Sequence, residues 1–347
     1  MKEGRLVRPT AKVAALASVA ALGIGVVACG SDDSGGGGGG GGGKKEVTIG
    51  LITKTETNPF FVKMKEGAQA QAKKDNVKLL TASGKTDTDN ASQVTALENM
   101  TTQGAKVILD VPADSKAVVP AVKKARDAGV IVIALDTPTE PQDAVDALFA
   151  TDNKKAGVLI GQYAAAMVKK MGIEPKIGMI DLKPGITVGQ LRHDGFLEGF
   201  GIKEGDPKIS GAAPAEGDQA KAQAAMENLL QKDSGINVIY TINEPSAFGA
   251  ATALKAAGKD PKDYVMVSVD GGCNAIKNGI KTGVIDATSQ QYPLKMAALG
   301  VEKGAAAARG GAKPSGYVDT GVTLIAADPM DGVDSKDAAY GEANCWG

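Results

Sequence analysis

Polar side chains recur at the points where the predicted strands of this chain end. Asp136, Asn243 and Asp270 each follow a run of apolar residues, and Arg192 lies near the start of a predicted helix. In open parallel sheets, ligands bind beyond the carboxyl ends of the strands. Carboxylates, amides and guanidinium groups accept or donate in pairs, which suits the neighbouring hydroxyl groups of a sugar. Other candidates at such positions, including two rings that could cover the apolar side of a sugar, are Asn58, Phe60, Phe61 and Gln291.

Each of these candidates also has a purely structural interpretation. The asparagines could serve only as helix caps, and the aspartates could be turn residues. Arg192 could lie on a solvated face and pair with Asp194, while both phenylalanines could belong to the core. Their shared position at strand ends favours the functional interpretation of the set as a whole.

Strand-like and helix-like segments alternate from residue 47 to residue 324. Asn58 can cap a helix and Pro59 suits its first turn. The alternation starts again after residue 151, so the sequence predicts an α/β protein with two similar lobes, each a doubly wound parallel sheet covered on both faces. Among the predicted elements are a helix over residues 115–128, a strand over residues 284–288 and a single strand over residues 317–324.

The first 45 residues predict an exported lipoprotein. A basic segment is followed by small apolar residues at 13–28, which are too few for a comfortable membrane span and are typical of a secretory signal. Val26-Val27-Ala28-Cys29 resembles a lipobox, so we expect a signal peptide over residues 1–28 and a lipid on Cys29. An ordinary signal peptide with an incidental cysteine is the alternative. Residues 29–45, which include an unbroken glycine run, predict a flexible tether.

The composition argues against several classes of protein. The formal net charge of -1 over 347 residues shows no basic excess for nucleic acid. With one histidine, His193, and no Cys-x-x-Cys pair, we expect neither a metal site nor a cofactor. No catalytic triad is visible, although Asp136 and Asp270 could mimic the carboxylate pair of a glycosidase. Aspartates near the C-terminus lack the spacing of an EF-hand and are interpreted as part of a solvated tail: Asp328, Asp331, Asp334 and Asp337.

Short motifs follow one another along residues 47–324. They are Asn58-Pro59-Phe60-Phe61, Pro112-Ala113-Asp114-Ser115, Ile133-Ala134-Leu135-Asp136, Thr151-Asp152-Asn153, Arg192-His193-Asp194-Gly195-Phe196, Asn243-Glu244-Pro245 with Gly249-Ala250, Asp270-Gly271-Gly272, and Ala287-Thr288-Ser289-Gln290-Gln291-Tyr292-Pro293. In this order and at these separations, the chain resembles the periplasmic sugar-binding proteins of the ribose-binding type. The resemblance implies a sugar-capturing subunit of an ABC importer.

The resemblance also implies which residues bind the ligand and which sugar the ligand is. Thr137 stands where ribose binders have an arginine, Gly217 where they have an aromatic residue, and Lys54 where they have a small polar residue. We expect Thr137 and Gly217 to leave room in the site. Because the Asp270-Gly271-Gly272-Cys273 segment and the C-terminal residues resemble the fructose-binding branch, we expect fructose to bind more tightly than ribose. The implied ligand residues are Asn58, Phe60, Phe61, Asp136, Arg192, Asn243, Asp270 and Gln291.

The same resemblance implies an organisation and partners. Lobe one would comprise residues 46–151 and 292–319, and lobe two residues 152–291 and 320–347, joined by a multi-strand hinge. We expect a monomer outside the cell membrane, anchored by its lipid, that binds a monosaccharide and meets the permease. A sugar-responsive repressor is disfavoured because a signal and a tether stand where its DNA-binding helices would be. A glycoside-processing enzyme and a sugar sensor that docks on a receptor remain as alternatives.

Two cysteines remain once Cys29 carries a lipid. Outside the membrane thiols tend to be oxidised, so we expect Cys273 and Cys345 to form a disulfide that fixes the C-terminal tail to the loop after Asp270. Two unpaired thiols are the alternative.

Overall fold

The computed structural model of the protein describes residues 46–347. The expectations for the signal peptide, the lipid on Cys29 and the tether lie outside these residues. The strands are β1 (Val47–Thr53), β2 (Val77–Ser83), β3 (Val107–Asp110), β4 (Ile131–Leu135), β5 (Ala147–Ala150), β6 (Ile177–Asp181), β7 (Ile209–Pro214), β8 (Val238–Thr241), β9 (Val265–Asp270), β10 (Ala287–Gln290), β11 (Gly316–Asp319) and β12 (Thr323–Ala326). The α-helices are α1 (Pro59–Asp75), α2 (Asn90–Thr102), α3 (Val119–Asp127), α4 (Asn153–Met171), α5 (Thr187–Phe200), α6 (Gln219–Lys232), α7 (Glu244–Ala256), α8 (Pro293–Ala308) and α9 (Ala338–Asn344).

In the described part of the chain, the strands form two six-stranded sheets with the same winding. The first sheet, in lobe one, has the order β11-β5-β4-β3-β1-β2, and the second, in lobe two, has the order β12-β10-β9-β8-β6-β7. Neighbouring strands run parallel except β12, which is antiparallel to β10. The prediction of two doubly wound α/β lobes is confirmed. The winding reverses between β1 and β3 and between β6 and β8, and such reversal points are where open α/β sheets hold ligands.

Apolar side chains cover both faces of each sheet. In the first sheet, one cluster includes Leu51 and Met296 and the other includes Ile52 and Leu97. In the second sheet, the corresponding clusters join β-strand residues to α4 and α5 on one face and to α6 and α7 on the other. Within residues 46–347, none of the helices is both long and apolar enough to cross a membrane.

Helices α4 and α5 pack unusually closely because glycine lines their contact. A Cβ atom added to Gly157 of α4 would lie 2.2 Å from the backbone oxygen of Arg192 in α5. Real Cβ contacts are not that short, so a larger residue would push the two helices apart. The glycine therefore fixes how far Arg192 can project towards the edge of the second sheet.

Several predicted elements differ from the structure. The single strand predicted over residues 317–324 is two strands, because the chain turns at Gly321, with φ +98°, and passes from the first sheet to the second. The strand predicted from residue 284 begins at Ala287, after a turn that buries Ile285. The helix predicted from residue 115 begins at Val119, since Ser115 bonds across to the other lobe.

The C-terminal tail is structured, and the aspartates that were expected to be solvated, Asp328, Asp331, Asp334 and Asp337, are all exposed. Asp337 caps α9 by accepting a hydrogen bond from the backbone N–H of Tyr340, and Asp328 contacts Lys170. The Sγ atoms of Cys273 and Cys345 lie at bonding distance, with their Cα atoms 4.9 Å apart.

Within residues 46–347, the chain passes between the sheets at three places. It leaves β5 for α4, which packs on the second sheet, and it returns after β10 through α8, which packs on the first. The third passage joins β11 to β12. On this basis we keep residues 46–151 with 292–319, and 152–291 with 320–347, as the proposed limits of the two lobes.

Candidate ligand-binding site

A cavity lies between the carboxyl ends of the two sheets. It holds about 310 Å³ of empty space, including its opening. Both lobes contribute side chains, as the winding of the sheets requires. Its lining residues are Lys54, Asn58, Phe60, Phe61, Asp87, Asp136, Leu182, Val188, Arg192, Asn243 and Asp270. The structure thus brings together seven of the eight predicted ligand residues, and the eighth, Gln291, is bonded to one of them.

Arg192 occupies the centre of the polar network. Its Nε atom donates to Asn153 Oδ1 at 2.8 Å and its Nη1 atom donates to the carbonyl of Ile242 at 3.0 Å. The guanidinium group also lies 3.7 Å from Asp136 Oδ1 and 3.7 Å from Asp270 Oδ1. The arginine is buried, so the alternative of a solvated arginine paired with Asp194 is wrong.

The two cavity aspartates have left-handed backbone angles. Asp136 has φ +60° and Asp270 has φ +105°, which are uncommon for residues with a Cβ atom. Such strain persists where the surrounding structure holds it, and it is concentrated at functional sites. Asp136 follows the buried strand β4 and Asp270 is the last residue of the buried strand β9, so the backbone at these two strand ends directs both carboxylates to the cavity.

The carboxylate of Asp270 is held by two donors. Gln291 Nε2 donates to its Oδ1 atom at 2.9 Å and the backbone N–H of Glu244 donates to its Oδ2 atom at 3.2 Å. Burial raises the pKa of Asp270 to about 7, and the nearby Arg192 opposes the increase. Asp136 differs, since its Oδ1 atom is buried and has no hydrogen bond in the described part of the chain.

For the two asparagines and the two phenylalanines, the structural and the functional interpretation are both correct, because each residue has a structural role and also lines the cavity. Asn58 accepts from the backbone N–H of Phe60 at 3.0 Å, and Asn243 accepts from that of Ser246 at 3.1 Å, so both cap helices while lining the cavity. Phe60 and Phe61 make an edge-to-face pair with centroids 5.3 Å apart. Both rings belong to the apolar core of lobe one and also border the cavity.

Comparison with known proteins agrees with this geometry. A family profile described as "Periplasmic binding protein domain" matches residues 49–312. The chain belongs to this family. The ribose import binding protein of Bacillus subtilis is 33% identical over 259 residues, which cover 75% of this chain and 81% of that protein. The D-ribose/D-allose-binding protein of Pseudomonas aeruginosa is 31% identical over 289 residues, covering 80% and 88%.

Solved structures of binding proteins share the fold. A sugar transporter from Clostridium phytofermentans has a TM-score of 0.73 at 28% identity, covering 81% of this chain and 100% of its own. An ABC transporter solute-binding protein from Agrobacterium vitis with bound D-fucose has a TM-score of 0.75 at 28% identity, covering 86% and 100%. The protein is therefore an extracytoplasmic sugar-binding subunit of an ABC transporter, of the ribose-binding type, and is not an enzyme.

This periplasmic binding protein has two polar cavity residues that the sequence did not identify as ligand candidates. Lys54 Nζ donates to Thr137 Oγ1 at 3.0 Å, and Thr137 Oγ1 donates to Asp136 Oδ2 at 2.7 Å. The other, Asp87, follows β2 in a loop rich in threonine and aspartate, where nothing distinguishes it from an ordinary turn residue. Burial raises the pKa of Asp87 to about 6.

These two residues occupy the space that was expected to be free. A Cβ atom on Gly217 would lie 2.6 Å from Asp87 Oδ2, so the carboxylate fills the place beside the glycine. Thr137 is fully buried and holds the Lys54 ammonium group. The expectation of vacant room at Thr137 and Gly217 is wrong, because the side chains of Lys54, just after β1, and of Asp87, in the loop after β2, reach into it.

Hydrogen bonds cross the cleft beside the cavity. The backbone N–H of Ser115 donates to Gly185 O at 3.2 Å, and its Oγ atom accepts from the backbone N–H of Thr187 at 3.0 Å. In another part of the cleft, Thr88 Oγ1 donates to Glu216 Oε2 at 3.3 Å. These bonds join lobe one to lobe two.

His193 lies in a neighbouring pocket and makes stability depend on pH. Its Nδ1 atom lies 3.0 Å from Asp181 Oδ1 and its Nε2 atom 2.9 Å from Glu204 Oε2. The hydrogen bond with Asp181, helped by that with Glu204 and opposed by burial, raises the pKa of His193 from 6.5 to about 9. A raised folded-state pKa stabilises the protein fully below 6.5, and this contribution is lost as the pH rises through about 9.

The replacement His193→Gln is therefore expected to remove a pH dependence. Between pH 7 and pH 9 the free energy of unfolding of the wild type should fall by ~1–2 kcal/mol, which is less than the full shift implies because solvent screens a partly exposed ring. The variant should show a smaller fall over this range, since only the buried carboxyl groups still titrate. Thermal unfolding at both pH values measures the difference, and Gln190→Ala on the same helix is the control. Equal slopes for wild type and His193→Gln would contradict the assignment.

Proposed function

We propose that the protein binds one neutral monosaccharide between its lobes and delivers it to the permease. The observation that best supports this is the buried Asp136 Oδ1 atom, which has no hydrogen bond in residues 46–347 although it lines the cavity. Gln291 Oε1, on the side chain that holds Asp270, is also buried and unbonded. Buried acceptors of this kind are normally satisfied, and sugar hydroxyls would supply the missing donors.

The charges around the cavity favour a neutral ligand. Two cations, Lys54 and Arg192, face three carboxylates, those of Asp87, Asp136 and Asp270. Arg192 lies between two of the carboxylates, so its charge is already compensated. An amino acid would need a cation and an anion set aside for its own charged groups. Phe60 and Phe61 supply the apolar surface that one side of a sugar ring requires.

Fructose is the ligand that we propose in preference to ribose. The proposal rests on the resemblance to the fructose-binding branch and on the absence of the arginine and the aromatic residue of ribose binders at Thr137 and Gly217. Lys54 and Asp87 fill those places, so the contacts must differ from those of a ribose binder. The relatives named above are described as binding ribose or allose, which makes ribose the sugar to exclude first.

Titration calorimetry with D-fructose, D-ribose and D-allose tests the function and the ligand together. We expect all measurable binding to be to monosaccharides, with fructose the tightest. L-Glutamate and L-leucine serve as negative controls. Binding of ribose at least tenfold tighter than that of fructose would reject the ligand, and the absence of binding to any monosaccharide would reject the proposed site.

If the protein is exported as proposed, one experiment tests the expected state of all three cysteines. We propose that Cys29 is the lipid-modified N-terminus of the mature protein and that Cys273 and Cys345 form a disulfide. Membrane-extracted protein should therefore have the mass of a lipidated chain that starts at Cys29 and should take up no alkylating reagent until it is reduced. Reduction should then expose two thiols. An unmodified Cys29 in that material would contradict the anchor, and two alkylated cysteines without reduction would contradict the bond.

A further inference from the structure

Four exposed lysines lie at the end of lobe one that is opposite the cavity. The cavity lies at the carboxyl ends of the strands, and these lysines lie at their amino ends. Lys73 and Lys74 belong to the last turn of α1. Lys78 is the second residue of β2 and pairs with Thr48 of β1, whose carbonyl accepts from the backbone N–H of Lys106 at 2.9 Å. These four residues, the basal lysines, therefore lie around the point where the chain enters β1.

The basal lysines make no ion pair with the other described residues. No carboxylate of residues 46–347 lies within 4.0 Å of their ammonium groups. At the same end of the lobe, the carboxylates of Glu98 and Asp127 each pair with a lysine of α3, and the buried Asp75 accepts a hydrogen bond at 2.7 Å. Lysines in the last turn of a helix complement its dipole, which accounts for the two lysines of α1 but not for the two at the strands.

The point where the chain enters β1 indicates which surface these lysines face. β1 begins at Val47, and Lys44-Lys45 lie immediately before Glu46 in the sequence. The glycine-rich tether and the proposed lipid on Cys29 come before them. An anchor attached there holds the amino end of the first sheet closer to the bilayer than the cavity end. Basic residues beside a membrane anchor are attracted by anionic phospholipid headgroups, and this attraction adds to the hold of the lipid.

We propose that the basal lysines, together with Lys44 and Lys45, bind the anionic phospholipid headgroups of the membrane that carries the protein. This inference goes beyond the proposed sugar binding and rests on the proposed lipid anchor. In this orientation the amino end of the first sheet lies on the bilayer, and the cavity is directed away from it, towards incoming sugar. The flexible tether over residues 29–45 lets the protein leave the surface and turn its cavity to the permease.

The net charge of the chain makes the expected attraction specific to the basal lysines. The formal net charge of the 347 residues is -1, and the proposed signal peptide removes more basic than acidic residues, so the mature chain is negative. Net charge alone therefore predicts repulsion from an anionic membrane. A local cluster can act against the net charge, because salt screens charges that lie farther away than about 10 Å at 0.1 M ionic strength.

Sedimentation with vesicles tests the proposal on the mature chain without its lipid, residues 30–347. Without the lipid, any adhesion must come from the protein surface. We expect this chain to sediment with phosphatidylcholine vesicles that contain about 30% phosphatidylglycerol, and not with vesicles of phosphatidylcholine alone. The bound fraction should fall as salt is raised from about 0.05 M to about 0.3 M, because salt screens the attraction.

Two variants with the same change in net charge locate the surface. The basal variant carries Lys73→Glu, Lys74→Glu, Lys78→Glu and Lys106→Glu, and it should bind anionic vesicles at least tenfold more weakly than the wild type. The control variant replaces four exposed lysines at the corresponding end of lobe two by glutamate and should keep most of the binding. These are Lys169, Lys203, Lys232 and Lys255. Both variants should bind sugar like the wild type, since none of the replaced side chains lines the cavity.

The membrane surface, the sugar site and the anchor can each fail separately. If the wild type does not sediment with anionic vesicles, or if the two variants lose binding equally, the membrane surface is rejected. Binding to dextran sulfate without binding to vesicles would assign the basal lysines to another polyanion and would also reject it. Calorimetry with sugar on the same samples tests the proposed sugar binding, and the mass of the membrane-extracted protein tests the anchor.

Discussion

Asp270→Ala is expected to weaken monosaccharide binding at least a hundredfold while the protein stays folded. The carboxylate lies in the cavity between Gln291, the backbone N–H of Glu244 and the guanidinium group of Arg192. Its removal takes away an acceptor for sugar hydroxyls and frees the Gln291 amide that it positions. Charged hydrogen bonds contribute about 1.5–3 kcal/mol each, and ~1.4 kcal/mol corresponds to a tenfold change in affinity.

Folding should survive because the ionised Asp270 is not a stabilising group. Burial raises the pKa of Asp270 to about 7, which means that the folded protein holds the charge at a cost. Calorimetry measures the affinity, and thermal unfolding without sugar checks the fold. Asp194→Ala, an exposed aspartate on α5, is the matched control and should bind sugar normally. Asp270→Asn keeps the shape of the side chain, and unchanged affinity in both Asp270 variants would refute the role.

Arg192→Ala should lose a similar amount of affinity for a different reason. The guanidinium group separates the carboxylates of Asp136 and Asp270, and without it these like charges would face the ligand uncompensated. Its removal also leaves Asn153 Oδ1 and the carbonyl of Ile242 without their donor. We therefore expect a lower unfolding midpoint for this variant than for Asp270→Ala, which the same thermal measurement reports.

The sequence predicts the cavity where local rules and topology act together. Parallel strands of one sheet end at a common edge, so polar residues at the ends of β8 and β9 in the second sheet, or of β4 in the first, lie where that sheet can hold a ligand. Asp136, Asn243 and Asp270 follow this rule. The caps were also predictable, because Asn58 precedes a proline that can occupy only the first turn of a helix.

Other features depend on contacts that are distant in sequence. Asp87 belongs to a loop whose composition predicts a turn, and its place in the cavity is set by how that loop packs beside Gly217 in the other lobe. From the sequence, Lys54 is expected to be an exposed residue after a strand. In the structure it lies in the cavity, where it bonds to the hydroxyl of Thr137 and is surrounded by carboxylates. The segment at residues 317–324 forms two strands because each half joins a different sheet. The local pattern of apolar and polar residues cannot show which sheet a strand joins.

The end of the chain contacts the site from behind. Trp346 is 5% exposed, and its ring makes an edge-to-face contact with Phe60 at a centroid distance of 5.6 Å. Its Nε1 atom donates to the backbone oxygen of Gln291 at 2.9 Å, and its own carbonyl accepts from the backbone N–H of Cys273 at 2.8 Å. The proposed disulfide joins Cys273 to Cys345, the residue before the tryptophan. One side chain therefore supports a cavity ring and the residue that holds Asp270.

Trp346→Ala is expected to weaken both the fold and sugar binding. Loss of a buried tryptophan costs ~3–5 kcal/mol of stability, because a cavity remains where the ring was. Phe60 and Gln291 lose the group that positions them, so the affinity for sugar should fall about tenfold or more. Chemical unfolding gives the first quantity and calorimetry the second. Tyr340→Ala, a half-exposed aromatic on α9, is the matched control and should change neither greatly.

Two further measurements distinguish a role of Trp346 in positioning Phe60 and Gln291 from a role in stability alone. Cys345→Ser should weaken binding in the same direction as Trp346→Ala but by less, because the tryptophan keeps its contacts with Phe60 and Gln291. A thiol reductant should lower the affinity of the wild type and leave that of Cys345→Ser unchanged, since the variant has no bond to break. If Trp346→Ala binds sugar as tightly as the wild type at a temperature where both are folded, the tail stabilises the protein without shaping the site.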